Sequence, residues 1–267
     1  MSSMNSRMRN TKVSNAVLGL AGILLFLLAW EVAPRLGIVQ ERFLPPASEV
    51  LLTLFDYFGE GAFWKDVGET MLAWTIGLTI SVVAAVVLGL IIGSSSFLSK
   101  STYTTIEFLR PIPSVALIPL AVLLFGVTIE SSLLLVIYAS FWQVLLQVLY
   151  GVADVDPVAE NTAKSYGLGP IARARYVVWP TVLPYLITGV RLASAVALIL
   201  AITAELIIGS PGLGSQLALT RSGGAVPEMY ALIVATGIIG IIINSGMRFI
   251  EKRVLAWHSS VRSEVVA

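Results

Sequence analysis

Six uninterrupted apolar runs, each near the length of a bilayer crossing, constrain this chain more than any other feature. They cover roughly Val17–Ala33, Leu72–Ile92, Ile112–Val127, Leu133–Val152, Tyr185–Ile208 and Tyr230–Met247. A hydrocarbon core of ~30 Å is crossed by about 20 helical residues. In lipid the backbone must satisfy its own hydrogen bonds, which leaves helices or closed barrels. Barrel strands alternate apolar and polar residues, and these runs do not. The expected fold is therefore all-α, a membrane protein with six transmembrane helices in one domain spanning residues 1–267. Composition agrees: 57% of residues are hydrophobic and 12% charged, against about 25% charged in soluble domains. The third run is short and contains Pro113 and Pro119, which predicts a tilted or kinked span.

Lys and Arg set the orientation. Arg7, Arg9 and Lys12 precede the first run as in a secretory leader, but the run is long and Ala29–Ala33 lacks a small-x-small cleavage pattern. It reads as an uncleaved first span. With the N-terminus inside, only Arg35, Arg42, Lys65 and Arg221 of the 17 Lys and Arg fall outside. The positive-inside rule then predicts N-in and C-in, with a cytoplasmic tail over 248–267. On the outer side, Pro45-Pro46 with Ser48 and Glu49 marks a helix start. Val50, Leu51, Leu54, Phe55 and Phe58 follow at helical spacing. This helix lies either on the membrane surface or against the protein's own spans.

A hydrophilic island, residues 151–184, interrupts the oily segments and falls on the cytoplasmic side. Asp156-Pro157 is a helix start, with an acid to cap free N–H groups and a proline in the first turn. Val158 to Tyr166 reads as a short helix, which Gly167-Leu168-Gly169-Pro170 breaks. Ile171 to Val178 starts a second helix, and Pro180 and Pro184 lead back into the membrane. Two readings are open for this helix–turn–helix. Its basic residues meet anionic lipid headgroups, or the capped, broken construction serves as a docking knob.

In this loop the chain resembles the permease subunits of bacterial binding-protein-dependent ABC importers. Their pattern has Glu-Ala-Ala, then Gly four residues after the second Ala, then an apolar residue and Leu-Pro. Here it reads Asn161-Thr162-Ala163, Gly167, Val177 and Trp179-Pro180, with every spacing kept. Asn161 stands in place of the acid, Thr162 of an Ala and Trp179 of the Leu. The strings Phe43–Val50 and Leu109–Leu120, with Gly212-Leu213-Gly214, resemble the nitrate/sulfonate/taurine subgroup. The resemblance implies that Asn161, Thr162, Ala163, Gly167, Val177 and Pro180 form a loop that docks on a cytoplasmic ATPase. It further implies a homodimer in the bacterial cytoplasmic membrane, an extracytoplasmic solute-binding protein and a small anionic solute.

Other chemistries find little support. No Gly-x-x-x-x-Gly-Lys-Ser/Thr occurs, so ATP is hydrolysed on another polypeptide. The absence of Cys, and a single histidine, His258, in the polar tail, argue against metal sites, bound cofactors and bond-making catalysis. No feature points to nucleic acid. A stand-alone secondary transporter or channel is the alternative, but it needs mid-depth charges or discontinuous-helix repeats. Glu205 is the deepest acid and either lines the path or caps an interface. Arg110 either anchors the third span or contacts an anion near an inner gate. Gly77, Gly89, Gly93, Gly189, Gly237 and Gly240 are expected at close helix contacts.

Overall fold

The computed structural model describes residues 2–257, with side chains from residue 17 onward. His258, Arg262 and the end of the 248–267 tail lie outside the described residues, as do the side chains of Arg7, Arg9 and Lys12. The helices are α1 (Ser2–Arg35), α2 (Ala47–Phe58), α3 (Gly61–Gly93), α4 (Ser96–Leu109), α5 (Ile118–Phe125) and α6 (Ile129–Ala153). They continue as α7 (Pro157–Ser165), α8 (Pro170–Arg173), α9 (Trp179–Ile208), α10 (Leu213–Gly223) and α11 (Val226–Val254). A 3-10 turn, Ser114–Leu117, leads into α5, and a π-type segment, Ala174–Val178, joins α8 to α9. The described residues contain no strand.

Five helical stretches are long and apolar enough to cross a membrane: Val17–Arg35, Gly61–Gly93, Ile129–Ala153, Pro170–Ile208 and Val226–Val254. The third apolar run starts in the break after α4 and continues through the 3-10 turn and α5; Ser96–Leu109 and Ser114–Phe125 meet at a bend of 81°, in keeping with a kinked span. Pro111 and Pro113 sit in the break, where each lacks a backbone donor. Counted as one bent span, this pair brings the number to six. In the island, the second helix runs on past Pro180 and Pro184, since Pro170–Ile208 is one helical stretch of 39 residues.

The chain forms two compact units, Met1–Gly61 with Leu219–Ala235, and Ala62–Ala218 with Thr236–Ala267. In the first unit α2 buries Ala47, Val50 and Leu54 and leaves Leu52 and Phe55 exposed. Its first turn is capped from α1. The Glu31 carboxylate accepts from the Ser48 N–H and hydroxyl, both at 2.9 Å. An acid there suits the positive end of the helix dipole. The Trp30 indole N–H donates to the Pro45 carbonyl at 3.0 Å.

In the second unit the core lies along α3, α6 and α9. Small residues recur every fourth position on α3, at Ala73, Gly77, Ser81, Ala85, Gly89 and Gly93. Residues four apart share one helix face, so they form a groove. Valines of α6 fill it: an added Cβ at Gly77, Gly89 or Gly93 would fall 2.5, 2.6 or 2.8 Å from Cγ1 of Val136, Val148 or Val152. Gly189 of α9 is as tight against Gln147, at 2.9 Å. Gly240 meets only Leu198 at 3.6 Å, and Gly237 has open space around it, so these two are not close-packing sites within the chain. Polar ties reinforce the seams: the Trp74 indole donates to the Ser194 carbonyl at 2.8 Å, and the Ser81 hydroxyl to the Ile137 carbonyl at 3.1 Å.

Candidate functional site

The island begins with a helix whose two ends follow from its sequence. At the start of α7, the Asp156 side chain accepts from the Val158 N–H at 2.8 Å, and Pro157 needs no acceptor. At its end, the Gly167 N–H donates to the Lys164 carbonyl at 2.9 Å and the Leu168 N–H to the Ala163 carbonyl at 3.0 Å. This pair of bonds is a Schellman motif, which requires a residue at positive φ after the cap. Gly167 supplies it, at φ +77. The four-residue spacing from Ala163 to Gly167 is thus the distance from the first accepting carbonyl to the left-handed residue.

Side chains on this unit divide cleanly. Ala163 is buried, whereas Asn161 and Thr162 are exposed. Thr162 and Ser165 turn their hydroxyls back onto carbonyls of their own helix, those of Val158 and Asn161. Glu160 ties α7 to α8: it lies 2.9 Å from Lys164 and 3.8 Å from Arg173. The hydrogen bond and charge of Lys164, then the charge of Arg173, hold its carboxyl below the usual carboxylate range. Apolar and aromatic side chains stand outward, with Val158 70%, Tyr166 81%, Ile171 84% and Tyr176 67% exposed.

Both roots of the island are pinned to one helix pair. Gly151, near the end of α6, is so close to α9 that an added Cβ would lie 3.0 Å from Cα of Val182. Three residues on, Asp154 accepts from the Tyr185 hydroxyl at 2.9 Å. Val177 and Pro180 are half-buried in the Pro170–Ile208 stretch, not in a loop. Pro180 lacks an N–H and its ring crowds the preceding turn, as does Pro184. The π-type widening at Ala174–Val178 directly precedes them, the kind of local bulge that lets a helix continue past such a defect.

The remaining two candidates lie apart. Arg110 is exposed at the α4–α5 break and borders two cavities of about 440 and 300 Å³. Glu205 is 1% exposed near the end of α9. Its Oε2 accepts from the Thr70 hydroxyl at 2.8 Å and from the Gly214 N–H at 2.9 Å, while Oε1 has no partner. Thr70 also accepts from the Leu213 N–H at 3.0 Å. The chain folds over this carboxylate at Gly212 and Gly214. A Cβ at Gly212 would collide with the Glu205 carboxyl, and one at Gly214 with the Ile202 carbonyl and the Glu205 side chain. Sequence reading identified the Gly-Leu-Gly string but not Thr70, 135 positions from its partner. It also missed Gly151, Asp154 and Tyr185.

These observations describe a multi-span helical protein whose polar, rooted knob projects from its membrane helices. A family model, "binding-protein-dependent transport system inner membrane component", matches residues 82–256. The chain belongs to this family. It is a permease subunit of an ABC importer, and ATP is hydrolysed by a separate subunit. Similar proteins include the taurine transport system permease protein TauC of Escherichia coli (strain K12). That relative is 28% identical, with 92% of this chain and 91% of the relative covered. The putative aliphatic sulfonates transport permease protein SsuC of Bacillus subtilis (strain 168) is 24% identical, covering 86% and 84%. The nitrate import permease protein NrtB of Leptolyngbya laminosa is 22% identical, covering 73% and 70%. Among solved structures, an inward-facing MetNI methionine ABC transporter chain superposes with a TM-score of 0.63 at 16% identity, covering 72% of this chain and 96% of that one. A chain of an amino acid ABC transporter gives 0.61 at 18% identity, covering 76% and 97%.

Proposed function

We propose that this permease imports a small oxyanion of the nitrate, sulfonate or taurine type across a bacterial cytoplasmic membrane. The solute class is supported by the relatives, whose names carry taurine, aliphatic sulfonates and nitrate. Two copies form a homodimer with the path at their two-fold interface. A solute-binding protein delivers from outside, and two ATPase subunits act from the cytoplasm. The excess of Lys and Arg over the predicted inner segments supports an N-in, C-in orientation with six spans, the bent α4–α5 pair being the third. The 151–184 island and the 248–267 tail then face the cytoplasm.

The observation that carries the docking reading is the exposure of four large side chains of the island, a crown of Val158, Tyr166, Ile171 and Tyr176. Large apolar and aromatic groups left exposed beside polar ones mark interaction surfaces. Asn161 and Thr162 are exposed on α7, and Gly167 sets the turn that ends it. Ala163 faces inward and serves to seat the knob. When the ATPases close they displace the knob. Its roots at Gly151 and at Asp154–Tyr185 pass the displacement to α6 and α9, whose close packing favours rigid-body switching over gradual bending.

Cysteine crosslinking in the assembled transporter tests the docking. A cysteine in place of Tyr166 or Ile171 is expected to crosslink to a cysteine on the ATPase surface. One in place of Ala163 is expected to stay unreactive. Labelling of the crown by lipid-phase reagents, with no ATPase crosslink, would return the island to a headgroup-solvating role.

A further inference from the structure

The smaller cavity beside Arg110 joins a basic side chain to an apolar lining. Its walls come from the α4–α5 break, from α6 and from α9, and it measures about 300 Å³. Arg110, Ser114 and Gln143 give it polar groups, while Ala139, Val196 and Leu200 are among its apolar lining. No Asp or Glu lines it. The Arg110 side chain has no ion pair or hydrogen bond among the described residues, in contrast to Arg35, Arg173 and Arg191. Arg110 is exposed at the break, so its charge is open to an anionic ligand. Trp142, another lining residue, is 9% exposed and its indole N–H is buried without an acceptor. The nearby Tyr138 hydroxyl is already committed to the Leu109 carbonyl at 2.5 Å. The lining therefore carries an unpaired cation and no carboxylate.

We propose that this cavity, lined by Arg110 together with Ala139, Val196 and Leu200, is a solute-contact site of the permease for a small oxyanion carrying a short aliphatic tail. The inference rests on the anion reading above and adds where the anion touches this chain. A guanidinium presents parallel N–H donors that match the paired oxygens of a sulfonate or carboxylate. The volume lies at the small end of ligand sites, which are mostly apolar with a few placed polar groups. The larger cavity on the other side of Arg110 contains Glu107 and Tyr103, and a carboxylate there disfavours an anion. The site's walls belong to α6 and α9, the same pair that roots the island, so a displaced island changes its shape.

The test uses the complete transporter, with its ATPase subunits and binding protein, in proteoliposomes. The probes are taurine, nitrate, and methane-, propane- and hexanesulfonate. Arg110→Gln is expected to lower taurine uptake about tenfold or more, the effect of losing a charge-assisted pair. Ala139→Leu adds bulk to the apolar lining. It is expected to shift the ratio of methanesulfonate to hexanesulfonate uptake about fivefold toward the smaller probe, with the same binding protein in both preparations. A general packing defect would lower all probes alike. Unchanged uptake in Arg110→Gln, or an equal loss of every probe in Ala139→Leu, overturns the cavity assignment alone. If Arg110→Gln fails to assemble, the chain-length ratio of Ala139→Leu decides. Failure of the native transporter to move any of these probes overturns the anion reading and this site with it.

Discussion

The ends of α7 and α9 both turn at a glycine in the left-handed region, Gly167 at φ +77 and Gly209 at φ +84. Beyond that they differ. Around Gly167 there is no atom within 4 Å of an added Cβ, so the residue is needed for its backbone angle and not for room. After Gly209 the chain folds back onto its own helix, and Gly212 and Gly214 press on Glu205 and Ile202 with no space for any side chain. Ser210 there is 1% exposed and its hydroxyl bonds that of Ser132 on α6 at 2.7 Å. One end is a hinge-like projection in the open, and the other is a knot closed by packing and buried hydrogen bonds. The same residue type therefore reports opposite requirements, and only its surroundings distinguish them.

Substitutions can break this contrast in order of expected effect. Gly214→Ala sets a methyl against the Ile202 carbonyl, a backbone atom that no rotamer change can move. Overpacking of this kind costs about 3 kcal/mol or more, and the expected result is loss of folded protein or a much lower unfolding temperature in detergent. Glu205→Ala comes next. It strands the Thr70 hydroxyl and the Gly214 N–H in a buried site, at about 1–3 kcal/mol for each unmade bond. Native-like stability in that variant would mean the carboxylate does not hold the knot.

Gly167→Val has a smaller effect on stability. A side chain in the left-handed region costs about 1–2 kcal/mol, and nothing clashes. The spans should still insert and unfold near the native temperature, while uptake per ATP hydrolysed falls. Full transport by this variant would deny the knob its coupling role. Glu160→Gln is the mildest. The ion pair is solvated, so its removal shifts stability by less than about 0.5 kcal/mol. The folded carboxyl titrates below its unfolded value. Its contribution is therefore complete above about pH 4.3 and disappears as pH falls through the depressed value. A destabilisation of Glu160→Gln that persists well below that range would assign the effect to packing against Arg173, not charge.

Much of the island was legible because its signals are local. Asp156-Pro157 marks a helix start whatever surrounds it, and Ala163 to Gly167 is a Schellman spacing set by helix geometry alone. The continuity of Pro170–Ile208 was not legible. Pro180 and Pro184 forbid a regular helix by local rules, and only packing against α6 together with the π-type widening keeps the helix running. The outward crown was hidden for a related reason: the alternation of Ala163 inward and Tyr166 outward depends on where α7 is seated. Glu205 looked like a deep acid near a span end. Its burial depends on Thr70, and no periodicity links residues that far apart.

The sequence by itself determined that this chain is helical and membrane-spanning, that it carries a capped polar unit between its spans, and that ATP is hydrolysed elsewhere. Each of these follows from runs, caps and motifs whose physics acts within a few residues or across one bilayer thickness. Tertiary structure alone decided how sharp the bend at Arg110–Pro113 is and which glycines need space. It also decided which side chains of the island face out and what the Glu205 carboxylate holds. Those are matters of which surfaces meet, and a hydrogen bond or a missing Cβ takes its meaning from the atom on the far side.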